Sequence, residues 1–175
     1  MTRTLDGETG IRQHYASIRM GVPDGAPITV LHISAEETIV ALGNASEPKI
    51  VLSLTIGSKK TTATYFKHHP PTPAEVENAI LAVEDEVMRT RTLLHPDSAL
   101  YTTDNAIREI AVLAGASPLL SLDALERLFQ RWAAVTNGSP ASQQGIPNDA
   151  AFGATLLILR EFMHHVKFRS VTLHG

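Results

Sequence analysis

Two adjacent acidic residues, Glu36 and Glu37, stand in a short corner between two strand-like segments, in the sequence LHISAEETIVALG at positions 31–43. Paired carboxylates could bind Mg²⁺ or Ca²⁺ through oxygen, or could supply a general base, alone or with His32. The alternative is a solvated hairpin turn, where acids are common. Because adjacent strand residues point to opposite faces, the two carboxylates converge only if the corner itself turns them together.

A second group of polar residues, Thr102, Thr103 and Asp104, lies between a predicted strand and a predicted helix. Asp104 could take part in catalysis. However, threonine and aspartate immediately before a helix are also its usual N-cap residues, because their side-chain oxygens accept the first free N–H groups. The sequence therefore leaves both a catalytic and a capping role open for Asp104.

The remaining candidates for chemistry are basic. Lys59 and Lys60 could contact an anion, or could form the solvated end of a hairpin. His164 and His165 suggest a metal site, but neighbouring side chains on a helix diverge by about 100° and do not readily bind one ion together. A cationic residue at a helix C-terminus interacts favourably with the helix dipole, which is the simpler role. We therefore predict no metal site.

The composition is that of one ordinary globular domain. The chain has 175 residues, 43% of them hydrophobic and 19% charged, with a net charge of -3. These values argue against disorder and against a nucleic-acid-binding surface. The absence of cysteine excludes disulfides, thiolate metal sites and a cysteine nucleophile. The N-terminal sequence MTRTLDGETG lacks a signal-peptide core, and no apolar run reaches the ~18–20 residues of a membrane span, so we predict a cytoplasmic protein without a membrane partner.

Hydrophobic periodicity and turn residues divide the chain into helices and strands. Residues 1–25 contain a first helix from Ile11 to Val22, and residues 28–57 form an antiparallel meander of three strands. Residues 72–175 alternate helices and strands. Their first helix begins with Thr72, Pro73 and Glu75, which is the sequence of a capping box.

The later segments complete an α/β pattern. Ser121 is a predicted N-cap for a helix over Leu122–Val135, Ala150–Val166 is the most apolar helix, and FRSVTLHG is a final strand. Between the two helices, TNGSPASQQGIPND is predicted to be a loop. This order predicts a ribonuclease-H-like domain with a mixed five-stranded sheet and helices on both faces.

The order of these segments resembles, over almost the entire chain, the second, C-terminal catalytic-core domain of the exopolyphosphatase and guanosine pentaphosphate phosphatase (Ppx/GppA) family. The family's strand and phosphate loop, Asp-Ile-Gly-Gly-Gly-Ser-Thr-Glu-Leu, are similar to ITVLHISAEETIVAL. Its Gly-Ala-x-Ile-Leu run and last strand are similar to GATLLILREFMHHVKFRSVTLHG. The resemblance implies a fold of the actin-like ATPase superfamily.

The residues that carry the family's chemistry are largely replaced. In the first loop His32 stands at the aspartate position and Glu37 at the serine position, and in the second loop, Gly-x-Gly-Gly-Thr in the family, no glycine remains. The third acid of the family's Gly-Glu-Glu-Glu-Ala-Arg segment falls on Gly10, although Glu8 and Arg12 are kept. By this resemblance the phosphate-loop equivalents are Ser34, Ala35, Glu36, Glu37, Thr38, Thr102, Thr103, Asp104 and Asn105.

These replacements predict a degenerate, stand-alone domain that acts as a binding or assembly module and needs no cofactor. Family members bind substrate between two similar domains, and this chain resembles the second alone. We therefore expect a homodimer, or a separately encoded partner domain. The alternative is a phosphohydrolase acting on polyphosphate or guanosine pentaphosphate, in which a partner chain completes the cleft and Mg²⁺ is held by Glu8, Glu36, Glu37 and Asp104.

Overall fold

Segments rich in β-branched residues and leucine form a mixed β-sheet. The structure is a computed structural model that describes residues 7–175. Within that range the sheet has six strands in the order β3-β2-β1-β4-β6-β5. The strands β1, β2 and β3 form an antiparallel meander, β4 and β6 continue the sheet in parallel to β1, and β5 pairs antiparallel with β6. The strands are β1 Ile28–Ile33, β2 Thr38–Gly43, β3 Ile50–Leu54, β4 Ala99–Thr102, β5 Leu119–Ser121 and β6 Ser170–Leu173.

Helices cover both faces of the sheet. One face of β1 and β2 packs on α1 through a small core that includes Tyr15, Ile18 and Val30. The other helices contribute to the larger core on the opposite face. None of the helices in residues 7–175 is long and apolar enough to cross a membrane. The helices are α1 Gly7–Arg19, α2 Ser58–Tyr65, α3 Pro73–Arg91, α4 Asn105–Leu113, α5 Leu122–Thr136, α6 Ala141–Gln144 and α7 Ala150–Val166.

The predicted fold class is confirmed, with corrections to its elements. The sheet has six strands and not five, because the three-residue strand β5 is too short to show a periodic pattern. Helix α2 was not predicted, and a single turn of helix, α6, lies inside the predicted loop. The first helix begins at Gly7, four residues before the predicted start, and ends at Arg19, three residues before the predicted end. Residues 1–6 of the predicted N-terminal segment lie outside the described residues.

Helix α7 is the centre of the larger core. Its residues are buried almost throughout, and Phe129 and Trp132 of α5 are buried in the same core. A Cβ atom at Gly153 would lie 2.5 Å from the indole ring of Trp132. Gly153 therefore permits the close packing of α7 against Trp132.

The predicted capping box at the start of α3 is present. The Thr72 hydroxyl accepts a hydrogen bond from the backbone N–H of Glu75, and the Glu75 carboxylate accepts one from the backbone N–H of Thr72. The carboxylate also accepts bonds from the backbone of Lys67 and from the ring of His68. Desolvation opposes ionisation of Glu75, but these hydrogen bonds outweigh it and lower its pKa to about 2. His68 is thus engaged with Glu75.

The Glu75 cap should make stability depend on pH in the acid range. Since the pKa of Glu75 is lowered from 4.5 to about 2 on folding, its contribution is present above pH 4.5 and is lost as the pH falls toward 2. Glu75→Gln keeps the cap but removes the titration. Urea unfolding between these pH values should therefore show a smaller fall in stability for Glu75→Gln than for the unmodified protein. Glu77→Gln, exposed on the same helix, should behave like the unmodified protein; an equal effect of both changes would contradict the prediction.

Candidate functional site

The corner between β1 and β2 is a closed turn built by Ser34 and Glu37. The backbone N–H and the hydroxyl of Ser34 both donate to the Glu37 carbonyl, at 2.9 and 2.8 Å. The Glu37 N–H in turn donates to the Ser34 hydroxyl at 3.2 Å. Serine side chains close turns in this way by replacing a backbone partner. The N–H groups of Ser34 and Glu37 are therefore already bonded within the turn.

The corner also accepts the first N–H groups of α2. Ser58 donates to the carbonyl of Ser34 at 2.9 Å, and Lys59 and Lys60 donate to that of Ala35 at 2.9 and 3.0 Å. Free N–H groups at a helix N-terminus are what would bind an anion. Here the backbone of the corner occupies those donors.

Gly57 allows this close approach between α2 and the corner. A Cβ atom at Gly57 would lie 2.4 Å from the carbonyl oxygen of Ala35 and 2.4 Å from the carbonyl carbon of Glu36. The φ angle of Gly57 is -145°, which any residue adopts, so glycine is required here for space and not for backbone conformation.

The two acids of the corner have different surroundings. Glu36 is exposed, whereas Glu37 is half-buried and accepts a hydrogen bond from the Ser53 hydroxyl of β3. The third acid, Glu8, forms an exposed ion pair with Arg12 one helical turn later, at 2.6 Å. Within residues 7–175 no three acidic or histidine side chains come close enough to hold a metal ion.

Asp104, the fourth acid, is buried and ties the two loops together. One carboxylate oxygen accepts the Ile33 N–H at the end of β1, and the other accepts the Ala106 N–H in the first turn of α4, both at 2.9 Å. The Nδ1 atom of His32 lies 3.4 Å from the carboxylate. Asp104 is therefore the N-cap of α4, and both of its oxygens are used by the fold.

Replacing Asp104 by alanine should cost more than the loss of a helix cap alone. The change leaves the buried Ile33 N–H without its partner as well as removing the cap, so we expect the free energy of unfolding to fall by about 2–3 kcal/mol. Asp149, the exposed N-cap of α7, is the matched control, and Asp149→Ala should cost about 1 kcal/mol. Urea denaturation measures both. Equal losses would mean that the bond to Ile33 does not contribute.

His14 of α1 joins this region, although its position in the sequence gave no sign of it. Its Nδ1 atom contacts the Thr103 hydroxyl, and its ring stacks on that of His32 with centroids 6.3 Å apart. Burial and the neighbouring His32 lower the pKa of His14 below its usual 6.5, and Asp104 opposes this only in part. The His14 ring is therefore neutral near pH 7.

The strand order, with a meander continued by parallel strands and helices on both faces, defines a ribonuclease-H-like α/β fold. The chain shares this fold with Ppx/GppA structures. A Ppx/GppA enzyme of Aquifex aeolicus matches with a TM-score of 0.73 and 16% identity over 92% of this chain. The crystal structure of the type II variant of the Aquifex aeolicus Ppx/GppA phosphatase matches with a TM-score of 0.71 and 18% identity over 92% of this chain. An exopolyphosphatase from Cytophaga hutchinsonii matches with a TM-score of 0.62 and 14% identity, also over 92% of this chain.

The matches cover only part of the related structures. The chain spans 57% of the first Aquifex protein and of the Cytophaga protein, and 58% of the type II variant structure. No protein-family sequence model matches the chain, and no curated protein sequence matches it. The resemblance to the Ppx/GppA fold, first inferred from the order of sequence segments, is thus confirmed at the level of three-dimensional structure.

Proposed function

We propose that this chain is a catalytically inactive binding or assembly module built on the Ppx/GppA fold. The observation that carries the proposal is the bonding of the α2 amides to the carbonyls of Ser34 and Ala35. A phosphate loop must present free N–H groups to phosphate oxygens. At the equivalent corner of this chain, the N–H groups of Ser34, Glu37 and the start of α2 have partners within the protein.

Charge at the corner adds to this argument. The corner carries two carboxylate side chains, those of Glu36 and Glu37. A carboxylate about 5 Å from a phosphate repels it by about 3 kcal/mol at an effective dielectric constant of about 20. Asp104 does not supply a metal ligand easily, because both of its oxygens accept buried or capping N–H groups.

A phosphate-release assay tests the proposed inactivity. The purified chain is incubated with Mg²⁺ and either polyphosphate or guanosine pentaphosphate, beside a variant that carries both Glu36→Gln and Glu37→Gln. We expect no phosphate release above that of the double variant. Mg²⁺-dependent release that the double variant lacks would overturn the proposal. It would favour the alternative, a phosphohydrolase that uses Glu8, Glu36, Glu37 and Asp104.

We also propose that the module assembles as a homodimer or with a separately encoded partner domain. Helix α1 packs on β1 and β2, whereas on the same face Leu119 of β5 is 55% exposed and Ser170 and Thr172 of β6 are only half-buried. This part of the sheet offers area for another chain. Analytical ultracentrifugation should show a concentration-dependent dimer that Leu119→Lys weakens. A monomer at all concentrations would exclude self-association and leave the partner domain as the remaining form of the proposal.

A further inference from the structure

A polar cleft opens beside the closed corner. It has a volume of about 510 Å³ and lies between α1, the start of α4 and the segment that follows β6. None of residues 34–37 lines it. The side chains around it include Gln13, His14, Ser17, Thr103, Arg108 and His174. Ligands of open α/β sheets bind outside the carboxyl ends of parallel strands, which is where this cleft lies, next to the ends of β4 and β6.

The lining is basic and rich in hydrogen-bond donors. No aspartate or glutamate side chain lines the cleft, although the chain as a whole has a net charge of -3. Arg108 is half-buried, and within residues 7–175 its side chain donates one hydrogen bond, to the His174 carbonyl at 3.2 Å. Its guanidinium carries five N–H donors in a planar fork, so most of them remain for a ligand.

The neighbouring side chains add neutral donors. The Nδ1 atom of His14 contacts the Thr103 hydroxyl, and the neutral ring has one N–H donor and one nitrogen acceptor. The Ser17 hydroxyl lies 3.3 Å from the Nε2 atom of His174. The side chains that line the cleft thus combine one permanent positive charge with several uncharged polar groups.

We propose that this cleft binds a small polar monocarboxylate, with the Arg108 guanidinium gripping its carboxylate and Gln13, His14 and Ser17 contacting its hydroxyl or amide groups. A guanidinium matches a carboxylate through two parallel hydrogen bonds. The single fixed charge of Arg108 balances one carboxylate and not a polyanion. The volume of about 510 Å³ falls in the range of small-molecule sites, about 300–1,000 Å³. This inference rests on the proposed binding role, but not on the proposed inactivity of the corner.

Binding calorimetry with the full chain, without Mg²⁺, tests the proposal with gluconate, lactate and glutamine as probes and inorganic phosphate and tripolyphosphate as competitors. We expect at least one monocarboxylate to bind at millimolar concentration or below, and Arg108→Gln to weaken it about tenfold or more. Arg108→Lys should weaken it less. Arg127→Gln, an exposed change on α5, should leave it unchanged.

Several outcomes would overturn the proposal. These are no binding of any monocarboxylate, tighter binding of tripolyphosphate than of every monocarboxylate, or equal effects of Arg108→Gln and Arg127→Gln. Circular dichroism confirms that the Arg108 variants are folded. If they are not, Gln13→Ala, an exposed change on α1, replaces them and should weaken binding measurably. A failure here leaves the phosphate-release assay unaffected, so the two proposals are tested separately.

Discussion

Replacing Glu161 by alanine is expected to lower the free energy of unfolding by about 3 kcal/mol, the largest effect that we predict for a single side chain. Glu161 lies on α7 and is only 2% exposed. Its carboxylate is bonded on one side to the guanidinium of Arg160 at 2.6 Å and on the other to the ring of His165 at 3.0 Å. Removing one member of a buried pair leaves the other charge without compensation.

The network around Glu161 connects three helices. The contacts that remain in the variant determine how much the free energy of unfolding falls. Arg160 also donates to Glu126 of α5 at 3.0 Å, and its guanidinium lies 4.4 Å from the centre of the Phe129 ring. His165 lies 3.8 Å from Glu84 of α3. Because Arg160 keeps Glu126 in the variant, the loss should fall at the low end of the ~3–5 kcal/mol typical of broken buried pairs.

The network also includes one member of the histidine pair. His165 is engaged with Glu161, whereas its neighbour His164 is exposed. The two rings are 5.0 Å apart and nearly perpendicular. The structure therefore agrees with a structural role for His165 beside carboxylates near the C-terminus of α7.

Urea denaturation of Glu161→Ala and Glu109→Ala measures the effect. Glu109 is exposed on α4, so its replacement should change the free energy of unfolding by about 0.5 kcal/mol or less. Glu161→Gln keeps the shape of the side chain and should cost less than Glu161→Ala. A loss of under 1 kcal/mol for Glu161→Ala would show that the buried carboxylate does not matter for stability.

Replacing Gly57 by alanine should have an effect of similar size, a loss of about 3 kcal/mol. The new methyl group would lie 2.4 Å from backbone atoms of Ala35 and Glu36, far inside van der Waals contact. Backbone atoms cannot rotate away as a side chain can. The start of α2 must therefore separate from the corner, and the hydrogen bonds of Ser58, Lys59 and Lys60 to its carbonyls lengthen or break.

Hydrogen exchange locates this effect, and urea denaturation gives its size. In Gly57→Ala the backbone N–H groups of residues 58–60 should exchange faster than in the unmodified protein, while those of α7 should change only with global stability. Gly21→Ala is the control, because a Cβ atom there would lie 3.7 Å from the Ile18 carbonyl, which is ordinary contact. If residues 58–60 keep their protection, α2 and the corner are not coupled as described, and the main support for the proposed inactivity is lost.

The corner explains why acids can stand where the resemblance would place a phosphate loop. Ser34 closes the turn with its hydroxyl, so no glycine is needed there, and Glu37 is held by Ser53 on the neighbouring strand. Glu36 is exposed to solvent. The prediction of a solvated turn thus describes Glu36, whereas Glu37 takes part in the packing of the meander. A catalytic role for either acid stays a prediction that the phosphate-release assay addresses.

The sequence by itself determined the features that depend on a few neighbouring residues. The capping box of Thr72 and Glu75 is present, Ser121 caps α5, and α7 has the predicted bounds, because caps and apolar periodicity are local properties. The meander could be predicted for the same reason, since its strands are joined by short turns. The order of these elements was enough to identify the fold class.

Only the tertiary structure decided the features that join distant parts of the chain. Helix α2 begins at amides that bond to carbonyls of the corner 24 residues earlier, and β5 is a strand only because β6 pairs with it from the end of the chain. The polar cleft brings Ser17 within 3.3 Å of His174, 157 positions away. No local pattern encodes such contacts, because they arise when α1, α4 and the strand ends pack against one sheet. For that reason the sequence indicated the acids of the corner as candidate site residues, whereas Arg108 became a candidate only from the structure.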